Sequence, residues 1–352
     1  MATDPVRVGI VGAGANTRSR HIPGFREIDG VEVLGVVNRS SGSTEKVAAE
    51  FGIPRTYQNF QALLEDADID AVMIGTWPNM HCDVTCAALE AGKHVLTEAR
   101  MARDAAEARR MHDTSAARPE LVAQIVPSPF GLVEHAYLDE LIDGGFLGEF
   151  RELVVIGATD GFCDTSAPLH WRQERELSGL NVLALGILHE TAIRWAPRPE
   201  RVFAQMSIME PKYAPSPVTG SDDVSVADSV QILTQLEGGG RGLYHLGGLN
   251  RFGPGHQIHM YGSRGTIRLE ITPEERLLIG QAGDSALREV EVPSEKRGGW
   301  RVEAEFIGAI RGEESVRFTD FATGVHYMEF TEAVHRSASE NHPIDLPLTD
   351  AS

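Results

Sequence analysis

The sequence predicts an α/β protein: a doubly wound parallel sheet of Rossmann type at the N-terminus, then a second α/β domain on a large, mostly antiparallel sheet. Three observations carry this. The apolar run Val6–Val11 stops abruptly at a glycine-rich turn, Gly12-Ala-Gly-Ala-Asn-Thr17. Apolar strands and helical stretches then alternate through roughly residue 125, the grammar of parallel strands joined by crossover helices. From Val202 to Val292 strand follows strand instead, with glycine turns at 238–242 and 262–265, which means antiparallel pairing.

In chain order, strands are expected at Val6–Val11, Val31–Val37, Ala71–Thr76, His94–Glu98 and Leu121–Val126. Helices are expected between them at Thr44–Phe51, Phe60–Asp66, His81–Ala91 and Asp104–Ala116. Gly92 sits where a helix C-terminus needs a left-handed residue, and Asp104 with Glu107 makes a capping arrangement. After Pro127 and Pro129 come a helix at Leu132–Ile142, a strand at Phe150–Ala158 and a long polar stretch, Thr159–Ser178. A helical run, Leu180–Trp195, precedes the strand-rich region, and amphipathic helices at Trp300–Arg311 and Gly324–Ser339 close the chain.

The first turn carries the first functional signal. A buried strand turning straight into a helix leaves unpaired backbone N–H groups where a pyrophosphate can sit. Gly12 permits the tight turn, and Gly14 lets the backbone approach the phosphates. Ala15, Asn16 and Thr17 complete the cradle, Thr17 standing where the G-x-G-x-x-G pattern has its third glycine. Asn38 ends the second strand about 20 residues on, where an acid normally takes the ribose. An acid there would repel a 2′-phosphate and Asn38 would not. Arg39, Ser40, Ser41 and Ser43 add a cation and hydroxyls able to receive one, which favours NADP over NAD. The plainer alternative is a polar loop with a solvated arginine.

With 352 residues and 42% apolar content the chain supports two cores. A formal charge of −19 without a basic run argues against nucleic acid or an anionic membrane surface as partner. Cys82, Cys86 and Cys163 cannot all pair, and no signal peptide or long apolar span is visible, so a reducing cytoplasm is the expected home. Cys82 and Cys86, one turn apart beside His81, lack a second ligand pair at zinc spacing. They read as small buried helix residues, and no metal is expected.

Several stretches together resemble the Gfo/Idh/MocA oxidoreductases. They are Val8–Pro23 with its His21-Ile-Pro23, Gly75-Thr-Trp-Pro-Asn-Met-His81 with Ala87–Leu96, Met260–Leu269, and Arg336–Leu346. The resemblance spans nearly the whole chain. It implies a nucleotide-binding domain, residues 1–126, and an α/β domain, residues 127–352, with the last helix and tail free to pack back on the first. The second domain's open sheet would bear substrate on one side and a subunit contact on the other, making a homodimer or homotetramer. Cofactor contacts are implied at Thr76, Trp77, His81 and Glu98.

The chain departs from the family at its chemistry. Relatives carry Glu-Lys-Pro after the fourth strand, with the lysine where nicotinamide and substrate meet; this chain reads Glu98-Ala99-Arg100. Ala99 can neither hydrogen-bond a reacting hydroxyl nor stabilise an alkoxide. Arg100 keeps a positive charge but is never a base; turned inward it would serve the substrate, turned outward it is a solvated loop residue. Relatives also carry Asp-x-x-x-His on a helix facing the nicotinamide. Here Ser178–Glu190 keeps the histidine as His189 but puts Leu185 one turn before it. His189 is the expected acid/base, its reference pKa being near neutral, and Glu98 is expected to shape the cofactor turn and support catalysis. Glu190 points about 100° away around the helix. In the loop His170-Trp171-Arg172 the Trp can stack on a sugar face and the Arg can bind hydroxyls, unless the Trp simply pins the loop.

The leading reading is hydride transfer between NADP, or NAD, and a sugar, cyclitol or related polyol. Ala99 and Leu185 motivate two others. One is a cofactor-binding sensor or regulatory partner without dehydrogenase chemistry; the other uses transient oxidation to drive elimination or glycoside cleavage.

Overall fold

The computed structural model describes residues 5–349. In chain order its elements are β1 Val6–Val11, α1 Ile22–Arg26, β2 Val31–Val37, α2 Ser41–Phe51, β3 Arg55–Thr56, α3 Phe60–Leu64, β4 Ala71–Ile74, α4 Pro78–Glu90, β5 His94–Thr97, α5 Ala105–Ala116 and β6 Ala123–Ile125. Then follow α6 His135–Asp143, β7 Phe150–Ala158, α7 Arg175–Ser178, α8 Leu185–Ala192, β8 Pro199–Ser207, β9 Ser229–Leu236 and β10 Arg241–Gly247. The last are β11 Gly255–Gly262, β12 Gly265–Glu270, β13 Arg276–Gln281, β14 Arg288–Val290, α9 Val302–Ile310, α10 Phe321–Glu340 and β15 Ile344–Asp345.

These elements form two compact units. The first runs to Pro127 and takes back Arg301–Val325; the second is Ser128–Trp300 with the chain from His326 on. The returning segment is therefore the one around α9. The tail and most of the last helix group with the second unit, unlike the return that the sequence left open.

In the first unit six parallel strands lie in the order β3-β2-β1-β4-β5-β6. This order reverses between β1 and β4, where ligands of doubly wound sheets bind. Val8, Ile10, Met73 and Ile74 are fully buried, as strands covered on both faces require. Local signals set the helix ends. The Asp104 carboxylate accepts the Glu107 N–H at 2.9 Å, and Ser40 accepts that of Ser43 at 3.3 Å to start α2 three residues before the expected Thr44. Gly92, at φ +76°, closes α4 as Lys93 N–H reaches the Ala88 carbonyl at 2.9 Å.

The second unit holds nine strands in the order β14-β13-β12-β11-β7-β10-β9-β8-β15, with β10 and β7 parallel and the other pairs antiparallel. Burial alternates along β9: Val230, Ile232 and Leu236 point inward, while Gln231, Leu233 and Gln235 are exposed. One face is thus covered and one open. Helix α8 lies close on β7 because residue 157 is glycine; a Cβ there would sit 2.9 Å from Leu188 Cδ1.

Candidate functional site

The glycine turn is built by mutual approach of two backbones. Gly12 follows β1 at φ +84°, and a Cβ on it would meet the Thr76 nitrogen at 2.8 Å. Gly75, after β4, is tighter still, since a Cβ there would fall 2.0 Å from Thr17 Oγ1 and 2.4 Å from the Gly12 carbonyl oxygen. Thr17, buried at the third-glycine position, is therefore accommodated by a glycine just past the end of the neighbouring strand. Sequence reasoning noted the missing glycine and used Gly75 only as part of a family stretch, without pairing it with Thr17. Beyond Gly14 the chain winds into a π-helical turn, Thr17–His21, that continues into α1. The first N–H groups of a helix have no intrahelical partners, so this cradle fits a pyrophosphate.

Asn38 is spent on holding the cradle. Its Oδ1 accepts the Ala13 N–H at 2.7 Å and its Nδ2 donates to the Ser43 carbonyl at 3.1 Å. Ser40 and Ser43 bond each other in the cap of α2. Arg39 is exposed, with its guanidinium 5.3 Å above the Trp77 ring. His81 is fully buried and spans the Thr76 carbonyl (3.0 Å) and the Arg100 carbonyl (2.9 Å), bracing the loops after β4 and β5. Burial pulls its pKa down against those two acceptors. Arg100 is itself buried, 4% exposed, which removes the solvated alternative. The Ala99–Arg100 peptide is cis.

Glu98 is saturated by donors. Its Oε1 accepts from His21 Nε2 at 3.0 Å and from the Asn16 amide, and its Oε2 accepts the N–H of Ala99 at 3.0 Å. Burial would raise its pKa, but His21, Asn16 and that N–H outweigh burial and hold it below the carboxylate range. It is an ionised fixed point rather than a proton donor. On the other side of His21, Nδ1 lies 2.5 Å from Glu303 Oε1 of α9. Burial opposes a charge on His21, yet Glu303 and Glu98 hold its pKa up at about 9. The sequence reading used His21 only as part of a family stretch and did not find Glu303, 282 residues away.

In the second unit, His189 on α8 is 2% exposed. Its Nδ1 is 2.9 Å from the Tyr244 hydroxyl of β10, and its ring stacks on Phe330 of α10 at 3.6 Å between centroids and 10° between planes. Burial, helped by Arg198 and His326, pulls its pKa to about 3, so the imidazole is neutral. Leu185 is fully buried on the same helix. Glu190 turns to a different partner set, accepting from the Ser128 N–H and from Arg194 at 3.0 Å each.

The stretch 159–178 is anchored by a small core of Leu169, Tyr213 and Val224 with Phe162 against it. It presents His170, Trp171 and Arg172 as one cluster: the rings of His170 and Trp171 lie 5.6 Å apart, and the Arg172 guanidinium is 4.3 Å over the Trp171 ring. Trp171 is half-buried, so it packs without being fully enclosed. Cys82 and Cys86 are buried against α5, their thiols pointing at the Glu107 and Arg110 carbonyls. Among the described residues no group of histidine, cysteine and acidic side chains is arranged to hold a metal.

Known proteins match along the chain. The family model described as oxidoreductase family, NAD-binding Rossmann fold, matches residues 6–124, and the GFO/IDH/MocA C-terminal domain matches residues 135–268. An uncharacterized oxidoreductase of Rhizobium meliloti is 27% identical over 96% of this chain and 98% of its own length. The dTDP-3,4-didehydro-2,6-dideoxy-alpha-D-glucose 3-reductase of Saccharopolyspora spinosa is 28% identical over 83% of each. Levoglucosan dehydrogenase, solved with NADH and L-sorbose, shares the fold at a TM-score of 0.86 and 22% identity, over 97% of this chain and 99% of that one. Matched in both its domains, the chain belongs to the Gfo/Idh/MocA family of oxidoreductases and carries that family's NAD-binding Rossmann domain.

Proposed function

We propose that this oxidoreductase transfers hydride between NADP, with NAD as the alternative, and a sugar, cyclitol or related polyol. The observation that carries the reading is the intact cradle: Gly12 in its left-handed turn, Gly75 against Thr17, and Asn38 pinning Ala13. Gly12, Gly14 and the backbone of Ala15 to Thr17 would hold the pyrophosphate, and Thr76 and Trp77 would border the dinucleotide. The absence of an acid at residue 38, with Arg39 and Ser41 exposed beside it, supports a 2′-phosphate. Relatives named as sugar reductases and dehydrogenases support the substrate class.

When bound, the nicotinamide supplies the two-electron acceptor for the hydride lost from a carbinol carbon. The hydroxyl proton then needs an acceptor, and His189 is the candidate. Burial keeps its imidazole neutral, which makes it a weaker proton acceptor than the near-neutral histidine expected from the sequence, and Tyr244 fixes its ring. Trp171 and Arg172, with His170, would hold the substrate, and Arg100 would stabilise negative charge where relatives have lysine nearby. Leu233 and Leu243, 58% and 42% exposed, face each other across β9 and β10 on the open sheet face, which supports a homodimer or homotetramer. No described helix is long and apolar enough to cross a membrane. The three free cysteines suit a reducing cytoplasm.

Absorbance at 340 nm with NADP or NAD over a polyol panel tests the reading. His189→Ala should cut kcat by about 10²- to 10⁴-fold and leave the cofactor Kd nearly unchanged. Tight binding without any absorbance change would favour the non-catalytic reading, and substrate consumed with catalytic cofactor alone would favour transient oxidation. Light scattering reads the copy number.

A further inference from the structure

Three groups beneath the cofactor turn form a unit that the proposed reaction does not use. His21 is wholly buried and lies between two carboxylates, 3.0 Å from Glu98 and 2.5 Å from Glu303. Both ring nitrogens face acceptors, and only an imidazolium can donate from both. Asn16, part of the glycine turn, donates to the same Glu98 oxygen that His21 does. The other Glu98 oxygen caps the N–H of Ala99. Turn, histidine and the loop after β5 are thereby joined through one carboxylate.

The far arm of the unit is built into the fold. A Cβ on Gly24 would sit 2.9 Å from the Glu303 carboxyl carbon, so the glycine makes room for it. Helix α9, which carries Glu303, is fixed to the first unit on both flanks. Glu305 accepts from Gln124 at 2.9 Å and from the Arg317 and Phe318 N–H groups at 3.0 Å each. Arg311 donates to the Asp29 carbonyl at 2.6 Å. A solvated helix has no need of a glutamate that is 3% exposed; its partner here is a buried cation.

We propose that His21 and Glu303 are positioning residues of the dinucleotide site, a charged clamp that fixes Glu98 against Asn16 and the Ala99 turn without touching the dinucleotide. This rests on the reading that the turn binds NADP or NAD. Loss of the clamp's cation leaves two carboxylates confronting each other, and Glu98 then leaves the turn. Dinucleotide affinity should therefore fall as pH rises through the value near 9 at which His21 loses its proton. Glu98 on the loop after β5, Glu303 on α9 and the uncharged Asn16 on the turn face the ring.

The test is NADPH and NADH binding, followed by cofactor fluorescence from pH 6 to 10, on the full chain and on Glu303→Gln and Gly24→Ala, with far-UV circular dichroism as the check on folding. In the wild type, Kd rises as pH passes about 9. In Glu303→Gln the rise moves to lower pH, and at neutral pH Kd is weakened about 10- to 100-fold, as displacement of a positioned group commonly produces. Gly24→Ala, which keeps both charges and only displaces one, shifts Kd in the same direction by less. A folded Glu303→Gln with wild-type Kd and pH profile overturns the clamp and leaves the cofactor reading intact. A wild-type profile flat across pH 8 to 10 overturns it without any variant. If the wild type binds neither nucleotide, the cofactor reading itself falls, and the clamp with it.

Discussion

The two units each bury a histidine, His21 at 0% and His189 at 2% exposure, and hold them in different charge states. His21 is met by two carboxylates, which return more than burial costs and keep it an imidazolium. His189 is met by a phenol and the face of a phenyl ring, neither of which carries a negative charge to offset burial, and it stays neutral. The same residue type is thus a fixed cation in the nucleotide-binding unit and a neutral acceptor in the substrate unit. The contrast teaches that the second role depends on what the environment lacks. With Leu185 in place of the family's aspartate, no carboxylate sits one turn before His189 to draw a proton onto it.

Replacing each histidine by leucine gives the largest separation. His21→Leu leaves the half-buried Glu98 and the buried Glu303 without their cation and should cost about 3–5 kcal/mol in urea unfolding. His189→Leu strands only the Tyr244 hydroxyl and should cost about 1–3 kcal/mol. Equal losses would break the comparison.

Stability against pH should show both histidines with opposite signs. The His21 contribution is complete below the unfolded histidine value of about 6.5 and is lost as pH rises through about 9. His189 acts on the other limb: the unfolded chain takes up a proton below about 6.5, and the folded chain does not until about 3, so stability falls on acidification across that range. Thermal melts across pH, repeated on the two leucine variants, should flatten the alkaline limb in one and the acid limb in the other. A smaller effect tests the turn itself. Gly75→Ala places a Cβ 2.0 Å from Thr17 Oγ1 and should cost about 1–3 kcal/mol, recovered in part by adding Thr17→Gly, because the Gly12 carbonyl at 2.4 Å remains. No recovery would mean that Thr17 and Gly75 are not exchanged partners.

Much of the fold was legible because its signals are local. Val6–Val11, Val31–Val37 and Phe150–Ala158 are strands with the bounds that apolar runs and flanking turns indicate. Helix starts were read late where the cap was a serine or the first residue a proline, as at Ser40 for α2 and Pro78 for α4. The glycine turn, its asparagine and His189 were visible as residue types at known spacing. Their partners were not, because Glu303, Tyr244 and Phe330 reach their histidines only through the tertiary fold and no periodicity links them. Asn38 shows the same limit: its position suggested a ribose contact, and its amide turns out to brace the loop.

Ring-nitrogen NMR of the full chain labelled with 15N-histidine measures the two charge states directly at pH 7.5. His21 should carry protons on both ring nitrogens and His189 on one. A neutral His21, or a doubly protonated His189, would contradict that assignment.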